Sequence, residues 1–205
     1  MKRIRIETDR LILREYEWND LHRHHTLISD ADIMYYIQDV YSRSLPESRE
    51  NLRQALLSRR QAPRVQVFLV IETKQGDYVG GIGYTVTEQS PAGKRAEIGY
   101  FTYPVFQGRG YVSEAFRALM RYAFCEDGVY KISGTCVTDN LRSARVMERC
   151  GMRAEGIRRD HDWHVDSLKS RSYYGLLKRE WTEERKEEHV ERTTGDFTEK
   201  KHKKI

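Results

Sequence analysis

A strand-like segment that ends in two closely spaced glycines and runs at once into a helix is the most chemically suggestive stretch of this chain: Ala96–Ala115, A-E-I-G-Y-F-T-Y-P-V-F-Q-G-R-G-Y-V-S-E-A. Glycines at 108 and 110 let the backbone turn sharply and let a ligand approach without interference from a Cβ. The helix that follows begins with unpaired N–H groups at the positive end of its dipole, so Gln107, Gly108, Arg109, Gly110, Tyr111, Val112 and Ser113 form a candidate cradle for a pyrophosphate. A Walker loop needs G-x-x-x-x-G-K-[ST], which Gly108–Gly110 does not match, and Ser113 breaks a Rossmann G-x-G-x-x-G. Taken alone, the turn reads equally well as a tight corner opening an ordinary helix.

Other reactive residue types are scattered. Glu97, Asp160 and Asp162 are carboxylates able to take a proton, although a surface carboxylate is more commonly a solvated charge. By themselves, Asn140 is a helix cap and Ser143 a small residue one turn further on. His22, His24 and His25 lack a ligand pattern such as H-E-x-x-H and read as a partly exposed helix face, and no metal site is expected. The three cysteines, Cys125, Cys136 and Cys150, are odd in number and show no C-x-x-C spacing, which argues against a disulfide framework or a zinc site and fits a reducing cytoplasm.

These residues need elements to position them. The opening, with Ile4, Ile6, Leu11 and Leu13 interrupted by Thr8-Asp9, reads as strand, and Asn19 or Asp20 as the cap of a helix carrying Leu21, His25 and Ile28. Asp30–Ile37 reads as a second helical stretch, and Leu45-Pro46-Glu47-Ser48 opens a third with Leu52 and Leu56 on one face. Val65–Glu72 and Tyr78–Thr87 are strands joined by a turn at Lys74–Asp77, and Gln89–Gly93 is a loop before the strand Ala96–Thr102. After the glycine turn comes a helix carrying Ala115, Phe116, Leu119, Met120 and Ala123. The strand Tyr130–Thr138, the helix Asn140–Cys150 stopped at Gly151, and strands at Met152–Ile157 and Ser172–Leu177 follow. This order predicts an α/β (α+β) protein: a mixed, mostly antiparallel twisted sheet flanked by helices.

A chain of 205 residues fits one domain, here 1–181, with a net charge of +5. Beyond Trp181 the tail, 182–205, is charge-dense and apolar-poor and reads as disordered or as a frayed helix. It holds as many acidic as basic residues, so the basic excess belongs to the body, which suits a phosphate-rich ligand without demanding one. The start, MKRIRIETDR, holds no secretory h-region and no apolar run approaches a bilayer span; a cytoplasmic location with no membrane and no DNA partner is the expectation.

The glycine turn resembles the acetyl-CoA loop of the GNAT superfamily of N-acetyltransferases, Q/R-x-x-G-x-G/A, with Gln107, Gly110 and Val112 at the patterned positions and Val112 departing from the usual Gly or Ala. Thr8–Arg14 (T-D-R-L-I-L-R) resembles the first strand of the ribosomal-protein N-terminal acetyltransferase branch. Asp139–Met152 resembles its N-x-x-S…E-K-x-G-F helix, with Arg149 for Lys and Met152 for Phe, and Tyr173–Trp181 its final strand. The likeness spans Thr8 to about Trp181.

The resemblance implies a GNAT-type fold and acetyl-CoA as cosubstrate. It implies that Asn140 hydrogen-bonds the pantetheine arm, and that backbone N–H groups near Phe101–Thr102, where the sheet splays, polarise the thioester carbonyl. Many members carry a tyrosine acid where this chain has Met147, which leaves Ser143 or water to protonate the departing thiolate. Glu97 or Asp162 would serve as general base, the branch favouring Asp162, and Tyr35, Tyr36 and Trp163 are candidate substrate contacts. The implied acceptor is a primary amine, first a ribosomal or other protein N-terminus and second a small amine such as a polyamine, an antibiotic or an amino acid. A rival reading is a non-catalytic module that binds RNA or protein through its basic body; the retained Gln107, Gly110 and Asn140 speak against it. The Arg-rich segment Arg53–Arg64 reads as a solvated face and leaves a ribosome contact open, as the sequence leaves open monomer or homodimer.

Overall fold

The computed structural model describes residues 3–181; the predicted charged tail lies outside the described residues. An eight-stranded sheet runs in the order β1-β2-β3-β4-β5-β6-β8-β7. Its strands are β1 (Arg5–Glu7), β2 (Leu11–Glu15), β3 (Gln66–Thr73), β4 (Tyr78–Ser90), β5 (Gly93–Thr102), β6 (Val129–Val137), β7 (Arg153–His164) and β8 (Ser167–Leu177). All neighbouring pairs are antiparallel except β5 and β6, which are joined by the crossover helix α3 (Tyr111–Cys125). The predicted mixed, mostly antiparallel sheet flanked by helices is what the chain forms.

Side-chain alternation divides two cores between the two faces. On one face Ile98, Ile132 and Leu176 pack under α3 and α4 (Leu141–Arg149), with Phe116, Leu119 and Met147 filling the layer. On the other, Val70 and Tyr78 pack under α1 (Leu21–Ile28) and α2 (Leu45–Ser58) with Leu27, Leu52 and Leu56. The second core covers β3 and β4 and reaches β5 through Phe101 and Tyr103.

Five local expectations are corrected. Asp30–Ile37 is a run of turns: the Asp30 carboxylate takes the Asp32 and Ile33 N–H groups, competing with the helical ladder. Asp20 does not cap α1 with its side chain, because Arg14 grips both carboxylate oxygens at 2.7 and 2.8 Å. His24 is buried, with Nε2 2.8 Å from Asn51, and Arg64, at the end of the supposedly solvated segment, is buried in a 2.7 Å ion pair with Glu15. The last two strands are much longer than predicted and form a hairpin that reaches His164 and Ser167.

Candidate active site

β5 ends at Thr102, and a short 3-10 turn, Pro104–Phe106, leads to Gln107. Gly108 and Gly110 have φ of +73° and +78°, left-handed values that a side chain makes costly. The first bond of α3 runs from Glu114 N–H to Gly110 O at 3.0 Å, and the N–H groups of residues 108 to 113 have no partner among the described residues. A Cβ built at Gly108 meets nothing within 4 Å, and one at Gly110 meets only the Arg10 guanidinium at 3.5 Å. The donors therefore line open space.

That space continues into a cavity of about 460 Å³ lined by Asp9, Arg10, Gly110, Ser113, Glu114, Arg117 and Arg149. Glu114 braces its wall, accepting from Thr8 Oγ1 at 2.6 Å and pairing with Arg10 at 2.6 Å. Burial works against its ionisation, but the hydrogen bonds from Thr8 and Arg10 hold its carboxyl below the ordinary carboxylate value. Arg10 also lies 4.7 Å from the centre of the Tyr111 ring and donates to Arg109 O. The Gln107 side chain is tied to α4 by Arg142 at 2.8 Å, so loop and helix are held together.

Beside this cradle the sheet forks. β5 and β6 pair from Lys94/Val129 to Glu97/Ser133 and no further, although β5 runs on to Thr102 and β6 to Val137. Tyr103 N–H donates to Val79 O, so the alternation of an antiparallel ladder turns Phe101 toward β4 and the N–H groups of Tyr100 and Thr102 toward the gap.

On the α3–α4 face of the fork, Asn140 caps α4: its Oδ1 accepts from Ser143 N–H at 3.1 Å. The cap leaves both amide hydrogens of Asn140 without a partner among the described residues, so capping does not prevent this side chain from donating to a ligand. Ser143 Oγ lies 2.8 Å from Tyr100 Oη, which also lies 3.0 Å from Ser143 O. Burial raises the Tyr100 phenol well above its usual value, so it stays protonated. Met147 is buried against Gly134. A phenol, that of Tyr100, thus stands beside Ser143, and sequence reading missed it. Its signal was the alternation Ile98, Tyr100, which sends both side chains to the α3–α4 face.

The opposite face of the fork carries the carboxylates. Thr135 Oγ1 lies 3.2 Å from Glu97 Oε1 and 3.0 Å from Arg171 Nη1, and Arg171 Nε pairs tightly with Asp162. Glu97 has no cation partner among the described residues, whereas Asp162 has Arg171. Asp160 sits on the exposed bulge of β7 with φ +46°. Tyr35 and Tyr36 come together with His164, their rings 4.9 and 6.1 Å from its own. Trp163 points to the other side of β7 and is 71% exposed, apart from that group.

The model of the acetyltransferase (GNAT) domain matches residues 10–153. The chain belongs to the GNAT acetyltransferases. It is 31% identical over 182 residues to an uncharacterized N-acetyltransferase, YnaD, of Bacillus subtilis (strain 168), covering 86% of this chain and 98% of that one. It is 28% identical over 104 residues to the ribosomal-protein-serine acetyltransferase of Escherichia coli (strain K12), covering 51% and 57% of the two chains. A solved GNAT-family acetyltransferase from Bacillus anthracis superposes with a TM-score of 0.72 at 27% identity, over 86% of this chain and 99% of that one.

This GNAT enzyme is an acyltransferase whose cosubstrate is acetyl-CoA and whose acceptor is an amine. The free donors of residues 108 to 113, and the clearance above Gly108 and Gly110, fit a diphosphate. The unladdered gap between β5 and β6 fits an extended arm. Among the described residues no helix is long and apolar enough to cross a membrane, and no group of three or more His, Cys, Asp or Glu side chains gathers as metal ligands.

Proposed function

We propose that this acetyltransferase modifies the N-terminal α-amine of a polypeptide, with a ribosomal protein the first candidate. One observation carries the reading: on the acceptor face of the fork, Glu97 is a carboxylate without an ion-pair partner among the described residues, while Asp162 is held by Arg171. At pH 7.4 an α-amine with pKa near 8 is already about one-fifth neutral, whereas a lysine-like amine near 10.4 is neutral to about one part in a thousand. A single exposed carboxylate suffices for the first and is a weak match for the second. The partial likeness to a ribosomal-protein-serine acetyltransferase supports the same choice.

Acetyl-CoA supplies the acetyl group as an activated thioester. The N–H groups of residues 108 to 113 hold the diphosphate, whereas that of Gln107 is already given to Pro104 O; Asn140 Nδ2 donates to the pantetheine arm, and the Tyr100 and Thr102 N–H groups donate to the carbonyl oxygen. Glu97 takes the proton that the attacking nitrogen sheds. On the other face Ser143 delivers a proton toward the departing sulfur and is resupplied by Tyr100. Thiol release measured against N-terminal hexapeptides and against polyamines and aminoglycosides tests the reading. Turnover confined to the small amines overturns the α-amine assignment.

A further inference from the structure

The basic excess of the chain gathers around one helix. Residues 43–60, which include α2, hold five arginines and two glutamates, an excess of three within a chain whose net charge is +5. The helix turns Ser48, Leu52 and Leu56 into the second core, and this leaves Arg49 and Arg53 exposed on its outer side. Arg60, just past the helix end, continues the same line, so the three guanidiniums form a row of about 16 Å.

Against this row stands Trp18, from the 3-10 turn Trp18–Asp20 that joins β2 to α1. Its ring is 51% exposed, although an indole has a large apolar area to gain from burial. Trp18, Pro46, Arg49, Glu50 and Arg53 line a cleft of about 510 Å³. The cleft shares no residue with the fork or with the cavity beside the glycine loop, and it belongs to the α1–α2 layer, across the sheet from α3.

The arginines of the row are not neutralised alike. Arg53 gives Nε and Nη2 to the two oxygens of Glu50 at 2.7 and 2.8 Å, and Gln54 holds the same carboxylate at 2.6 Å. That fork-to-fork pair fixes the plane of Arg53 and leaves its Nη1 undonated. Arg49 and Arg60 have no carboxylate partner among the described residues. A flat aromatic face beside free guanidiniums suits a planar base joined to a phosphate, because the ring stacks while the cations neutralise. The length of the row exceeds what one phosphate needs and favours a strand over a single nucleotide. An acidic peptide would use the arginines and leave the indole without a planar partner.

We propose that Trp18 and the row Arg49, Arg53 and Arg60 bind single-stranded RNA, one base stacking on the Trp18 ring and successive phosphates meeting the guanidiniums. The surface is additional to the catalytic site and does not depend on which amine is acetylated. For a ribosomal acceptor it holds the enzyme on the RNA beside its substrate.

The test titrates labelled decauridylate with the full chain, reads anisotropy at several salt concentrations, and repeats the titration with decaglutamate and with UMP as competitor. Trp18→Ala is expected to weaken RNA binding about tenfold, and Trp18→Phe, which keeps a ring, to recover most of the loss. Arg49→Gln is expected to reduce the slope of log affinity against log salt by about 0.7, the share of one phosphate on a single strand. Arg121→Gln removes an exposed charge from α3, on the other side of the sheet, and should change neither quantity. Acetyl-CoA stabilisation and turnover of a small amine should match wild type in all four variants. Where Trp18→Ala lowers the melting temperature, Trp18→Phe and Arg49→Gln carry the test. RNA affinity and salt slope unchanged in the cleft variants, or lowered equally by Arg121→Gln, overturn the inference. So does decaglutamate bound more tightly than RNA, or UMP competing as well as the oligomer. An enzyme inert toward every peptide overturns the α-amine reading alone and leaves this result to be judged by itself.

Discussion

Replacing Glu97 by glutamine isolates the proposed base from every structural role. Glu97 is exposed and its contact at the fork is the 3.2 Å hydrogen bond from Thr135. The amide of Glu97→Gln keeps an acceptor there, so stability should change by no more than about 0.5 kcal/mol. The catalytic loss should be far larger. A positioned general base contributes about 10²- to 10⁴-fold, or roughly 3–5 kcal/mol of barrier. The loss should also depend on pH in a defined way. With Glu97 present, an ammonium acceptor delivers its proton to the enzyme and kcat/KM is flat across neutral pH. In the variant the proton must leave to solvent beforehand, so kcat/KM climbs about tenfold per pH unit until the amine's own pKa near 8. Thiol release from an N-terminal hexapeptide between pH 6.5 and 9.5, at saturating acetyl-CoA, reads both effects. A rate within twofold of wild type at pH 7 refutes the assignment, as does a deficit that stays constant with pH. A large loss in Asp162→Asn with none in Glu97→Gln would move the base across Arg171.

Three further outcomes are expected. Gly110→Trp imposes a left-handed φ on a bulky residue and covers the loop donors. Acetyl-CoA at about a hundred times its Kd should stabilise wild type by about 2.7 kcal/mol in a thermal-shift assay and the variant not at all. Tyr100→Phe and Ser143→Ala should each lower kcat about tenfold without changing the acetyl-CoA KM. If the hydroxyls form one chain, the double variant is no slower than the worse single one, and additive losses contradict a relay. Glu114 has a folded-state pKa below its unfolded value, so its contribution to stability is complete above about pH 4.5 and is lost as pH falls through the folded value. Melting temperatures of wild type and Glu114→Gln should therefore differ at pH 7 and converge under strong acid; a gap that persists there contradicts the account.

How legible these features were depended on whether burial wrote a period into the sequence. The crossover helix carries Ala115, Phe116, Leu119, Met120 and Ala123 toward one core, and its pattern announced both its extent and the cradle before it. The β7–β8 hairpin carries almost no such signal: residues 153–161 of β7 are all exposed, so no apolar alternation marks them, and the strand is held by its ladder with β8. Asp30–Ile37 misled in the opposite sense. Its apolar residues sit at helix-like density, but only Met34 is fully buried, and the Asp30 side chain diverts the first N–H groups. Tyr100 and His164 escaped notice for a shared reason. Each meets a partner distant in sequence, Ser143 for one and Tyr35–Tyr36 for the other, and no local spacing encodes such a meeting.

The fork ties these parts into one device. Ending the β5–β6 ladder at Glu97/Ser133 leaves backbone donors and acceptors unpaired along both strands, a cost that the interior of a sheet does not ordinarily bear. The cost is lowered when an extended arm with its own amides lies in the gap, so occupancy completes the sheet as well as supplying the thioester. The same opening connects the two faces: Ser143 and Tyr100 stand on one side, Glu97 and Thr135 on the other, and the described strands between them share no ladder bond beyond Ser133. A proton can therefore be taken from the nitrogen on one face while another is given to the sulfur on the opposite face, with no single residue asked to do both. On the proposed division of labour, Met147 need not be an acid. Any hydroxyl on the α4 side that reaches the gap serves, and the Tyr100–Ser143 pair is already there.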